Sequence, residues 1–172
     1  MIHNCSFMKV AEVFFNEPTT VHFIREVGRK TSLSPTSVRL HMKRLEKSGF
    51  IMKKESRPFT GYVADRDNER FIYYKRLHNI STLFDVRQKI IDAIHPKAII
   101  LFGSYFLGED IEDSDIDIIV LSKASKEIDF QREEKYLHRK ISVIKVENIE
   151  ELERSVKRNV KKGLVIYGDM YE

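Results

Sequence analysis

Apolar residues recur at helical spacing through the first third of the chain. Phe7, Val10, Ala11 and Phe14 predict a helix over 5–16, closed by Pro18. Val21, Ile24 and Val27 form a second short stripe behind the candidate caps Thr19 and Thr20, and Gly28 with the polar "RKTSLS" then breaks it. Ser34 followed by Pro35 has the form of an N-cap and a first helical residue, since a helix start leaves unpaired the N–H that proline lacks. Val38, Met42 and Leu45 then line the inner face of a third helix, with Gly49 as its C-terminal cap. Between 50 and 65 the pattern changes to two short strands around a turn containing Pro58 and Gly61.

From Asn68 the spacing of Phe71, Tyr74 and Leu77 predicts another helix, and Val86, Ile90 and Ile94 mark one from 83 to 94, stopped by His95-Pro96. Continuous apolar runs then predict strands at 97–102, 116–122 and 141–146, with a last short one in "LVIYG". Helices are expected in "EIDFQREEKYLHRK" and in "NIEELERSVKRNVKKG", the latter capped by Asn148 and ended by Gly163. The fold class is α+β: three helices plus a β-hairpin, then a small mixed-sheet α/β domain. Boundaries are expected at 1–66 and 85–172, with a helical linker over 67–84.

Charge sharpens this division. The net charge is +4, but residues 1–84 carry 15 Lys+Arg against 8 Asp+Glu, and residues 85–172 carry 15 against 18. A basic half beside a mildly acidic one implies two tasks, one of them involving a polyanion. No apolar run approaches the ~20 residues needed to span a bilayer, so no membrane partner is expected. Cys5 is the single cysteine, which fits a reducing, cytoplasmic setting.

On the third helix a 100° step puts Thr36, Arg39, Leu40, Lys43 and Lys47 on the outer face, with Ser37 and Arg44 flanking. Thr36, Ser37 and Arg39 lie near its N-terminus, where base edges are reached, and Leu40 suits a thymine methyl. Lys53, Lys54 and Arg57 in the hairpin are placed to neutralise phosphates. The order helix, helix, turn, helix, hairpin resembles winged helix-turn-helix transcription factors, most closely over 21–62. The resemblance implies double-stranded DNA as partner and a homodimer reading paired half-sites. The alternatives are a three-helix scaffold with a charged surface, or a winged helix used for dimerisation.

The densest chemistry is "GSYFLGEDIEDSDIDIIV", 103–120. Asp115 and Asp117 flank Ile116 at the two-residue period that sets both carboxylates on one face of a strand. Such a pair repels unless a cation sits between them, so it is read as a metal site. Glu109, Asp110, Glu112 and Asp113 are read as solvated loop charges.

A strand, Gly103-Ser104, a ten-residue spacer and "DID" together resemble the nucleotidyltransferase superfamily related to DNA polymerase beta, above all its minimal members, over about 85–172. The resemblance implies Mg²⁺ held by Asp115 and Asp117 as catalytic and metal residues. It implies a nucleoside triphosphate, such as ATP, bound at Gly103 and Ser104. It also implies a third carboxylate on a later strand, completing the metal site and helping to activate the attacking hydroxyl. The matching segment "RKISVI" puts Ser142 there, and a serine cannot act as a base near neutral pH. Asp129 comes too early to substitute, and Glu147 is an unforced replacement. Two functions stay open. One is a DNA-binding regulator whose second domain senses Mg-NTP. The other is an active Mg-dependent enzyme that moves a nucleoside monophosphate onto a hydroxyl of a protein or small molecule, as minimal members do when they act as antitoxins on a helical toxin partner.

Overall fold

Residues 5–55 and 59–169 are described by a computed structural model, and Arg57 and the turn residue Pro58 lie outside them. The chain divides into two units, one up to His78 and one from Asn79.

In the first unit three helices, α1 (Ser6–Asn16), α2 (Ile24–Thr31) and α3 (Pro35–Lys47), pack their apolar stripes together with a hairpin, β1 (Ile51–Lys54) and β2 (Gly61–Ala64). Val10, Phe14, Val27, Val38, Met42, Leu45 and Ile51 are the buried centre. The signals around α3 act as expected. Ser34 Oγ accepts from the Ser37 N–H, and Gly49 (φ +74°) follows the cap residue Ser48 in the left-handed conformation. The strands are antiparallel, Ile51 opposite Ala64 and Lys54 opposite Gly61.

One expectation about α2 fails and a second holds in part. Thr19 and Thr20 do not cap it: residues 21–23 are extended, and His22 exchanges both backbone hydrogen bonds with Tyr62, lengthening the hairpin sheet. The expected break comes within "RKTSLS" and not at Gly28: the helix runs on to Thr31 and stops at Ser32 (φ +58°). Gly28 serves packing instead, because a Cβ there would lie 3.0 Å from the Leu33 carbonyl oxygen.

Helix α4 (Glu69–Thr82) spans the division between the units. The helix forms where the spacing of Phe71, Tyr74 and Leu77 predicts it, but of these three only Phe71 is buried. Tyr74 and Leu77 are about half exposed, and the buried row is Phe71, Lys75, His78 and Asn79. An i, i+3, i+6 row drifts 60° per step around a helix, whereas i, i+4, i+7 returns to one face. The apolar residues here follow the drifting row.

The second unit holds a four-stranded sheet in the order β5 (Ile141–Val146), β4 (Ile116–Leu121), β3 (Ala98–Phe102), β6 (Leu164–Gly168). β3 is antiparallel to β4 and β6, and β4 is parallel to β5. β3 is buried on both faces throughout, and so is β4 except at Asp117, which explains their nearly continuous apolar runs. Val86 and Ile90 of α5 (Phe84–Ile94) pack with Ile99, Leu101, Ile116 and Ile118 on one face. Val160 of α8 (Arg154–Val160) and Leu152 pack with Ile100, Ile119 and Leu121 on the other.

The two late helices are shorter than expected. α7 covers only Gln131–Leu137, with Asp129 before it accepting from the Gln131 N–H. Asn148 opens a single 3-10 turn (Ile149–Glu151), and the chain is extended at Leu152 before α8 begins. Gly163 is a close-approach residue: a Cβ there would lie 2.7 Å from the Leu101 carbonyl oxygen.

Candidate functional site

β3 ends at Phe102, whose cross-strand partner is Asp117, so the next residue meets the Asp117 side chain. That residue is Gly103, at φ +77°, and a Cβ on it would collide with Asp117 Oδ2. Glycine is thus required twice, by its backbone angle and by the carboxylate against it. Ser104 follows in the first turn of the short helix α6 (Gly103–Leu107), which Gly108 ends at φ +75°. The Gly-Ser turn and the second aspartate therefore share one small region.

Ile116 between the two aspartates is fully buried, which holds β4 in place and turns both carboxylates to the opposite face. Asp115 is exposed just before the strand, and Asp117 is half-buried within it. Burial, then the negative charge of Asp115, raises the Asp117 carboxyl above its ordinary pKa. Among the described residues neither carboxylate has a hydrogen-bond donor or a cationic side chain as partner. Two unneutralised oxygen donors beside a glycine turn fit a hard divalent cation.

In the parallel register Ser142 of β5 stands directly opposite Asp117, on the same face and exposed. Glu147 does not take its place. Glu147 follows Val146, which pairs with Leu121 at the other end of the strands, so five residues, about 16 Å, separate it from Ser142. An open hollow of about 640 Å³ lies beside Asp115, lined also by Glu134, Lys135, His138, Arg139 and Lys140.

One loop charge is not solvated. Asp110 is 1 % exposed, and its Oδ1 accepts from Asn79 Nδ2 at 2.7 Å. Its other oxygen faces the Arg139 guanidinium at 3.5 Å. Glu109 and Asp113 are exposed, as expected of loop acids, and Glu112 is intermediate. Sequence patterning misses Asp110 because it sits in a run of acids with no periodicity.

The outer face of α3 is open. Thr36, Arg39, Leu40, Lys43, Arg44 and Lys47 are exposed and Ser37 is partly so, over the buried Val38, Met42 and Leu45. His41 is buried on the inner side, its Nε2 3.0 Å from Ser6 Oγ. Burial, then the Arg44 charge, holds its pKa below the ordinary value. In the hairpin Lys54 is exposed, whereas Lys53 Nζ already lies 3.0 Å from Glu46 Oε1. Sequence reading also misses a cluster of Glu17, His22 and Glu26. These groups are close enough to hold a metal ion, but Lys30 Nζ bonds both carboxylates, at 2.6 and 3.0 Å, and supplies the positive charge itself.

The model of the nucleotidyltransferase domain family matches residues 83–168, half of the chain, and takes in Gly103, both aspartates and Ser142. The chain belongs to this nucleotidyltransferase family. A winged helix-turn-helix DNA-binding model matches residues 24–52, covering α2, α3 and the start of β1. The nucleotidyltransferase domain and a DNA-binding helix-turn-helix therefore occur in one chain. No curated protein and no solved structure matches it. Nucleotidyltransferase domains in general use a divalent metal, and the acid pair at 115 and 117 has the donor chemistry for one. Among the described residues no helix is long and apolar enough to cross a membrane.

Proposed function

We propose that this chain is a nucleotide-responsive transcriptional regulator. Its winged helix-turn-helix, assigned to 1–66, binds double-stranded DNA. Its nucleotidyltransferase domain, assigned to 85–172, binds Mg-NTP but transfers nucleotide weakly or not at all. Residues 67–84 link them, and the working form is a cytoplasmic homodimer on paired half-sites. The observation that carries the reading is the register of Ser142 opposite Asp117. It leaves a hydroxyl where the family's third carboxylate would stand.

Asp115 and Asp117 would hold the magnesium ion, and Gly103 lets the main chain approach a phosphate that its neighbour Ser104 contacts through hydroxyl and N–H. The bound ion would neutralise phosphate oxygens and polarise the α-phosphate. What position 142 lacks is a carboxylate to take the proton of an attacking hydroxyl, a contribution of roughly 10²–10⁴-fold in rate. Binding needs no such group. On DNA, Thr36, Ser37, Arg39 and Leu40 would face base edges, while Lys43, Lys54 and Arg57 would face phosphates. Lys53 joins them only by leaving Glu46.

Calorimetry with Mg²⁺ and each of the four common nucleoside triphosphates tests the reading. Heat of binding is expected with wild type and not with Asp117→Ala, together with no release of pyrophosphate. The acid pair and the hollow beside Asp115, which has room for an acceptor side chain, favour a second reading: an active nucleotidyltransferase acting on a protein or small-molecule hydroxyl, as an antitoxin would. Pyrophosphate release by the wild-type chain with a candidate acceptor would select it. Under the first reading Ser142→Asp raises trace transfer and tightens Mg²⁺ binding. An unchanged Mg²⁺ affinity in that variant would refute the assignment of position 142.

A further inference from the structure

Asn79, Asp110 and Arg139 form a polar cluster inside an otherwise apolar unit, only 2 %, 1 % and 9 % exposed. Asn79, in the last turn of α4, divides its amide between two limbs of the candidate site. Nδ2 donates to the carbonyl of Tyr105, the residue after Ser104, at 2.8 Å, and to Asp110 Oδ1 at 2.7 Å. Thr82 Oγ1 donates to the Asn79 carbonyl at 2.8 Å and lies 2.9 Å from the buried Tyr105 hydroxyl, gripping α6 a second time. From the other side Arg139, at the foot of β5, faces Asp110 at 3.5 Å and donates to the carbonyl of Glu112, three residues before Asp115.

We infer that this cluster positions the metal-binding acid pair. It clamps the Gly-Ser helix, the loop that delivers Asp115 and the start of the Ser142 strand to one another. The inference rests on the proposed metal site. A purely stabilising role is the weaker account, because a buried ion pair rarely stabilises more than well-packed apolar residues of the same size. A positioning role needs what is seen here: directional bonds from α4 and from the foot of β5 that end on α6 and on the loop before Asp115. Asn79, Asp110 and Arg139 touch neither Asp115 nor Asp117 through any such bond, so they act through the loop. Groups bonded directly to metal ligands change metal affinity about 10–100-fold when removed, and a clamp acting through the loop is expected at the lower end, about 10-fold.

The test uses the full chain and Mn²⁺ alone, followed by electron paramagnetic resonance. Alongside it run the denaturant midpoint and hydrogen exchange of the amides at 109–116. The double variant Asp110→Leu/Arg139→Met removes the ion pair while keeping bulk. It is expected to fold, to bind Mn²⁺ about 10-fold more weakly and to exchange faster across 109–116, whereas Arg139→Lys recovers part of the affinity. Should the double variant not fold, Asn79→Ser is read in the same way. A folded variant with wild-type Mn²⁺ affinity overturns the inference, whatever its midpoint. Wild type that binds no Mn²⁺ overturns the metal site and the inference together, so the two failures are told apart.

Discussion

Gly103 and Asp117 constrain each other. The glycine is needed because the carboxylate lies against it, and the carboxylate is held half-buried because the glycine leaves room for it. Burial and the Asp115 charge both penalise ionised Asp117 in the fold, raising its pKa. The sign of the consequence follows from linkage. Between the ordinary carboxylate pKa and the raised one, the folded chain binds more protons than the unfolded chain, so stability falls as pH rises through that window and stays lower above it. Metal-free Asp117→Asn should therefore be more stable than wild type at pH 7, with the gap closing below about pH 4, where both forms are neutral. Urea midpoints at the two pH values in EDTA check this. Equal midpoints at pH 7 would mean that the pair is not under electrostatic strain.

At the scale of elements, the same geometry that makes α3 available also disarms part of the hairpin beside it. Lys53 is charge-paired with Glu46 of α3, which raises the lysine pKa and occupies the ammonium. Glu46→Gln should free Lys53 for phosphate. The expected result is tighter binding to duplex DNA and a salt dependence steeper by roughly 0.9 in log–log slope, one added phosphate contact. An exposed pair adds little to stability, so the unfolding midpoint should stay near wild type. A salt slope identical to wild type would remove Lys53 from the interface. Sequence pattern makes α3 legible because cap, proline, apolar stripe and terminal glycine all agree there. It also makes β3, β4 and the acid pair legible, because strands buried on both faces leave apolar runs, and an aspartate inside one and another just before it stand out. The inner face of α4 is illegible for the opposite reason. Its buried residues Lys75, His78 and Asn79 are polar, and what buries Asn79 is hydrogen bonding to Tyr105 and Asp110, partners distant in sequence. The Glu46–Lys53 pair is hidden likewise, since neither residue's neighbours announce the other.

For the whole molecule, a DNA-binding helix-turn-helix and a nucleotidyltransferase domain in one chain acquire a regulatory relation only if each ligand binds two states of the chain unequally. Thermodynamics then fixes the form of the result. If Mg-NTP changes the affinity for a selected duplex by some factor, the duplex must change the affinity for Mg-NTP by that same factor, typically about 5–150-fold for a coupling of ~1–3 kcal/mol. Fluorescence titration of the duplex with and without saturating Mg-NTP gives one side of the cycle, and calorimetry of Mg-NTP with and without duplex gives the other. Asp117→Ala should abolish the coupling while leaving nucleotide-free DNA affinity at the wild-type level, because the substitution lies outside the residues proposed to contact DNA. A chain that binds both ligands with no mutual effect would exclude the regulator and leave the two domains as independent tenants of one sequence. In that case weak transfer would have to be judged on the acceptor alone, and the hydroxyl at 142 in place of a carboxylate would become a question of rate rather than of sensing.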